Sequence, residues 1–216
     1  MLDGVAVWLR RCVWAGLCAV ALWPAAWAGV VPEAFEITRT EEAIEARARV
    51  ALQLSEPVEA ALMKGVPLHF VWQADVTRER WYWRDKRVLT SYRTWRLAYQ
   101  PLTRRWRLSL SGQAPGAGQQ FVLHQNVAQL DDALSAIGRL SAWAVAPSTL
   151  VSADDEHRVD LSFRLDASLL PRPFQIGVGS TTDWSVRWQA SLPVPSKVGP
   201  SLRAPDLAEP DVRAAE

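Results

Sequence analysis

The stretch from Arg78 to Leu110 constrains the fold most, because apolar and polar residues alternate in it with a period of two. It also holds four of the twelve tryptophans and all three tyrosines. Successive side chains of a β-strand point to opposite faces, so this alternation predicts three strands. In the last of them, Trp106, Leu108 and Leu110 share one face. We therefore expect a sheet with one core face and one cationic face.

Alternation of the same period recurs along most of the chain. It is clearest in residues 44–54, 68–76, 159–169 and 184–192. We also expect a short strand at 121–123, a bend near 77–79, and two short helices at 55–64 and 130–140, where apolar residues follow helical spacing. About eight or nine strands joined by short turns predict a mainly β (α+β) fold, an antiparallel β-sandwich-like domain with two short helices.

Residues 1–28 have the layout of a secretory signal peptide. Arg10 and Arg11 precede an uncharged run, and Ala26-Trp27-Ala28 suits a cleavage site. We therefore expect export to the periplasm with cleavage after Ala28. The alternative is an uncleaved inner-membrane anchor over residues 12–31, because a helix that spans a bilayer needs ~20 such residues. That anchor would bring the chain into contact with the membrane.

The remainder is predicted to form one domain over residues 29–193, followed by a disordered, Pro-rich tail over 194–216. Without residues 1–28 the chain has equal numbers of basic and acidic residues, so no overall field attracts it to nucleic acid. Predicted export also argues against a nucleic-acid partner. Both cysteines lie in the predicted signal, so we expect no disulfide in the mature chain.

Sequence motifs for enzymatic chemistry are missing. His69, His124 and His157 stand far apart and form no metal-binding pattern. Residues 177–180 lack the spacing of a nucleophile elbow, and the acidic residues 154–156 lack that of a calcium loop. We expect no metal, no cofactor and no catalytic residues, and therefore a protein that is not an enzyme.

The arginines of the tryptophan-rich strands are the candidate site. We predict that Arg96, Arg105 and Arg107 form a patch for an anionic partner, with Tyr82 or Tyr92 beside it, because guanidinium groups bind phosphate and carboxylate bidentately. The alternative is that these arginines only solvate the outside of the sheet. Arginine greatly outnumbers lysine in the whole chain, which a GC-rich genome would produce without any function.

Several longer segments resemble a known family. They are WYWRDKRVLTSYRTWRLAYQPLTRRWRLS, LDDALSAIGRL, LDASLLPRPFQI and DWSVRW, together with the exported start. They resemble the proteobacterial domain-of-unknown-function family 4390, over about residues 33–188. The resemblance implies a small exported protein without an established activity. Genes of that family often lie near one for a nitrogen-regulation-type sensor kinase, which implies an envelope role. No catalytic or binding residues are recognised for the family, so none are transferred.

Three classes of function follow from these observations. The first is a non-enzymatic envelope protein that binds another protein, such as the sensor region of a membrane kinase. The second is a binder of anionic lipid or cell-wall groups that uses the arginine and aromatic face. The third is an enzyme whose site is assembled only by folding.

Overall fold

The computed structural model describes residues 30–79, 85–116, 120–170, 186–199 and 201–204. The strands are β1 (Val30–Arg39), β2 (Ala43–Leu52), β3 (Leu68–Arg78), β4 (Lys86–Gln100), β5 (Arg105–Ser111), β6 (Leu123–Val127), β7 (Arg139–Pro147), β8 (His157–Leu165), β9 (Arg187–Pro193) and β10 (Ser201–Arg203). The helices are α1 (Glu56–Met63) and α2 (Leu130–Gly138), and two 3₁₀ turns cover Ser148–Leu150 and Ala167–Leu169. The predicted signal peptide lies outside the described residues.

The strands form two antiparallel sheets. The smaller has the order β10-β1-β2-β7, and the larger has the order β6-β5-β4-β3-β8-β9. Contacts between β1 and β9, and between β4 and β7, place one sheet over the other. The predicted mainly β, sandwich-like fold with two short helices is therefore confirmed.

Aromatic side chains fill the space between the sheets. Trp72 of β3 is fully buried, and its ring lies 4.6 Å from that of Phe163 and 5.9 Å from that of Trp188. Phe35 of the smaller sheet meets Trp188 edge to face at 5.8 Å. The Nε1 atom of Trp72 also donates to the carbonyl of Ile137 in α2 at 2.9 Å. The core therefore joins both sheets and α2.

The inner face of β4 follows the predicted alternation. Trp95 and Leu97 are buried on it, and the guanidinium of Arg93 lies 5.5 Å above the ring of Trp143 in β7. Burial lowers the pKa of Arg93. Since a cation over an aromatic face is attracted by the ring, Arg93 helps to hold the two sheets together.

The structure refines several predicted boundaries. The strand expected at 121–123 runs instead over Leu123–Val127, where it pairs with β5. The second helix ends at Gly138, where only glycine fits, because a Cβ atom would lie 2.3 Å from the carbonyl oxygen of Val50. The bend expected near 77–79 corresponds to a register shift between Val76 and Thr77, with one extra residue on β4.

The carboxyl-terminal segment differs from the prediction. Residues 194–199 and 201–204 were expected to be disordered. Instead, Val194 donates its amide to the carbonyl of His157 in β8, Gly199 donates to the carbonyl of Arg39 in β1, and Ser201, Leu202 and Arg203 pair with β1. Arg39, which is only 8% exposed, donates from Nε to the carbonyl of Pro195 at 2.8 Å. Pro-rich composition predicted disorder, but an edge strand and a buried guanidinium supply partners for this backbone. Residues 205–216 lie outside the described part of the chain.

Within the described ranges, neither helix is long and apolar enough to cross a bilayer.

Candidate functional site

The register of β4 and β5 places three predicted site residues on one face. Arg96 lies opposite Ser109, while Ala98 and Gln100 lie opposite Arg107 and Arg105. Residues opposite each other in a ladder share a face, and the neighbouring Trp95, Leu97, Trp106 and Leu108 are buried on the inner one. Arg105 and Arg107 are exposed and Arg96 is half-buried. We call Arg96, Arg105 and Arg107 the arginine surface.

A small residue lies at the centre of the arginine surface. Ala98 is directly across from Arg107 and two residues along β4 from Arg96. Arg107 is directly opposed to Ala98 at ~5 Å and Arg105 is diagonal to it at ~7–8 Å. Arg96 is ~7 Å away along the same strand, so all three long side chains are within reach of the space above Ala98. The methyl side chain of Ala98 itself occupies little of that space. The arrangement can therefore bind an oxyanion with several charged hydrogen bonds.

Elsewhere on the same outer sheet face, two arginines are neutralised by neighbouring carboxylates. There, Arg87 forms an ion pair with Asp75 at 3.3 Å, and Arg158 forms one with Glu79 at 2.7 Å. The hydrogen bond that Arg158 donates to the carboxylate of Glu79 raises the pKa of Arg158. In contrast, the arginine surface makes no ion pair with any residue that the structure describes. Among the described residues, three neighbouring arginines without an ion pair thus lie together at one end of the sheet.

The structure does not place Tyr92 next to the arginine surface. Tyr92 lies on the outer face opposite Gln73, but it is four residues from Arg96, which corresponds to ~13 Å along a strand. Between them, Thr94 is fully buried and donates to the carbonyl of Gln113 at 3.1 Å, under the loop after β5. Tyr82 lies outside the described residues.

Two histidines that the sequence left unassigned lie in line with Arg96. The pairings His69 with Arg96, Arg96 with Ser109, and Ser109 with His124 form one row across β3, β4, β5 and β6. The Oγ atom of Ser109 is 2.9 Å from Nδ1 of His124. Ser109 is only 3% exposed, so this pair joins two strands and does not present a nucleophile to a substrate.

His69 is buried, and its Nδ1 atom has no hydrogen-bond partner among the described residues. Burial lowers the pKa of His69, and the positive charge of Arg96 lowers it further, while Asp166 opposes both effects. His69 is therefore neutral at pH 7 beside the arginine surface. Sequence reasoning missed this row because its members are up to 55 positions apart, and only the three pairings β3 with β4, β4 with β5 and β5 with β6 bring them together.

Other groups of chemical interest do not converge. In the described ranges, no three His, Cys, Asp or Glu side chains lie close enough to hold a metal ion. A cleft of about 770 Å³ lies beside His157 and residues 152–156, but Arg39 at its edge is engaged by the carbonyls of Pro195 and Val151. The residues 177–180 lie outside the described part of the chain.

A family model described as "Domain of unknown function (DUF4390)" matches residues 28–191. Neither the curated proteins nor the solved structures contain a match to the chain. The expected resemblance is therefore confirmed over most of the chain.

Proposed function

We propose that this chain, which belongs to the DUF4390 family of unknown function, is a non-enzymatic binding module of the cell envelope that recognises an anionic group. The observation that carries this proposal is the arginine surface. Its three arginines lie around Ala98 in the strand register, and they make no ion pair within the described chain, whereas Asp75 and Glu79 pair with Arg87 and Arg158 elsewhere on the same face.

The chemistry of the arginine surface favours a phosphate or carboxylate ligand. Guanidinium is planar and permanently charged, so it donates two parallel hydrogen bonds to such groups. Cations left without a carboxylate repel one another, and an oxyanion that reaches more than one of them relieves that repulsion. The mature chain is formally neutral, so attraction would come from this local patch and not from net charge.

Two features support a binding role over a catalytic one. The described residues hold no cluster of potential metal ligands, and Ser109, the serine that contacts a histidine, is buried in the sheet. Binding by preformed arginines on a rigid sheet needs neither a metal nor a nucleophile.

Export completes the proposal. The layout of residues 1–28 supports cleavage after Ala28. A periplasmic location would give the arginine surface access to anionic components of the envelope. Mass spectrometry of the protein from an envelope fraction is expected to identify Gly29 as the amino terminus. An intact Met1 in the membrane fraction would replace this part of the proposal with the anchored alternative.

The test is binding of a soluble anion, short-chain polyphosphate, by calorimetry. We expect the triple variant R96Q/R105Q/R107Q to remain folded and to lose ~1.5–3 kcal/mol of binding free energy for each charged hydrogen bond that is removed. The matched control is R47Q/R49Q/R203Q, because these three arginines are exposed on the outer face of the smaller sheet. Equal polyphosphate affinity in both triple variants would refute the proposal.

A further inference from the structure

The turn between β4 and β5 carries an unusual exposed side chain. Residues 101–104 connect the two strands of the arginine surface, and Leu102 within them is 100% exposed. Arg104 closes the turn with a φ of 51°, a left-handed conformation that is uncommon for residues other than glycine. Both Arg104 and the next residue, Arg105, are exposed. An apolar tip therefore projects from a cationic hairpin.

The surroundings of this tip are also basic. Helix α1 ends at Met63, which is 49% exposed, and is followed by the exposed Lys64. Strand β3 then begins with Leu68 opposite Leu97, so α1 ends at the same end of the sheet as the turn. The start of α2 adds Asp131 and Asp132 near this end. Asp166, beside His69, is a third acidic residue at this end. Lys64 and Arg104 join the three arginines of the arginine surface, so these basic residues outnumber the three acids.

We propose that this end of the molecule docks on an anionic phospholipid bilayer, with Leu102 inserted at the interface and the arginine surface and Arg104 against the lipid phosphates. This inference rests on the proposed function and names the source of the anion. It concerns a peripheral contact made by the folded domain, separate from the predicted anchor at residues 12–31.

Physical chemistry favours a bilayer over a soluble anion for this combination. A soluble phosphate could satisfy the arginines but offers nothing to Leu102, which gains free energy only by leaving water. A bilayer interface supplies both an apolar layer and a sheet of phosphates. Juxtaposed basic residues strengthen attachment to anionic lipid by about fivefold each, and a buried leucine adds a factor of about ten.

The test compares vesicles of phosphatidylcholine with and without phosphatidylglycerol, using the protein as it is isolated from the cell. All variants share one amino terminus, so differences between them report on the folded domain. L102S is expected to bind the anionic vesicles about tenfold more weakly, and to bind polyphosphate as the wild type does. V122S is the matched control, since Val122 is 80% exposed but lies at the opposite end of β5, near Leu110.

The outcomes separate the two proposals. If L102S and the wild type bind anionic vesicles equally, the membrane inference is overturned, while polyphosphate binding can still uphold the proposed function. If the wild type binds polyphosphate but no vesicles, the ligand is a soluble or protein-borne anion and the inference is again overturned. If the wild type binds neither probe, the proposed function fails as well.

Discussion

Ala98 lies directly opposite Arg107 in the antiparallel ladder of β4 and β5, and it is the small residue around which the arginine surface is arranged. This relationship gives a test that removes no arginine. The substitution A98E places a carboxylate among three guanidinium groups, where it should form the ion pairs that the ligand otherwise makes. We expect A98E to remain folded, with an unchanged or slightly higher thermal midpoint, and to lose polyphosphate binding in calorimetry.

The matched control for A98E is A98Q, which has nearly the same size and no charge. We expect A98Q to weaken polyphosphate binding much less than A98E does. Equal losses of polyphosphate affinity in the two variants would mean that the added side chains only block the space above Ala98. If A98E bound polyphosphate as the wild type does, the ligand would lie elsewhere.

His69 predicts a pH dependence of stability. Its folded-state pKa lies below the ordinary value of about 6.5, because burial and Arg96 disfavour the imidazolium. The unfolded chain therefore binds the proton more readily, so the stability associated with neutral His69 is fully present above pH 6.5 and is lost as the pH falls through the lowered folded-state pKa. Urea unfolding of wild type and H69Q at pH 7.5 and pH 5 checks this. The free energy of unfolding of H69Q should rise relative to that of the wild type when the pH is lowered from 7.5 to 5. A difference between the two proteins that is the same at both pH values would contradict the lowered pKa of His69.

The carboxyl-terminal segment predicts a loss of stability on truncation. A chain that ends after Val194 loses the carbonyl of Pro195, to which the buried Arg39 donates, and also β10. A lost hydrogen bond to a charged group costs ~1.5–3 kcal/mol, and we expect at least that decrease in the free energy of unfolding. A chain that ends after Ala204 retains every described contact and should resemble the full chain in urea unfolding. Identical midpoints for both truncations would show that the segment does not stabilise the fold.

Two buried tryptophans allow a matched comparison within the core. Trp72 donates from Nε1 to Ile137, whereas Nε1 of Trp95 is buried without a hydrogen-bond partner among the described residues. W72F removes packing and a hydrogen bond and leaves the Ile137 carbonyl unsatisfied, while W95F removes only packing. We expect W72F to cost ~1–2 kcal/mol more than W95F in urea unfolding. The opposite order would mean that the contact between β3 and α2 contributes little.

Much of the sheet follows from local sequence patterns. Alternation in residues 104–110 correctly assigned Trp106 and Leu108 to the core face and Arg105 and Arg107 to the other, because the period of two is a property of each strand by itself. The turn at Pro101 then fixed the register that brings Arg96 onto the same face. For these residues, the pattern of a single hairpin was sufficient to predict which side chains share a face of the sheet.

The remaining features depend on contacts that are distant in the sequence. Tyr92 is on the predicted face, yet the loop after β5 covers Thr94 and separates Tyr92 from Arg96, and nothing local to β4 indicates that loop. The row from His69 to His124 requires three strand pairings at once. Residues 201–204 are ordered because they pair with the edge strand β1, so composition alone could not predict their structure.

The central claim is that an anion binds on the arginine surface, and an NMR titration locates that anion most directly. Adding pyrophosphate to the isotope-labelled protein should shift the amide signals of residues 96–107 and of Asn126, which lies opposite Arg107. Signals from the outer face of the smaller sheet, including Arg47 and Arg49, should stay in place. Shifts confined to the smaller sheet, or no saturable shifts at all, would contradict the account.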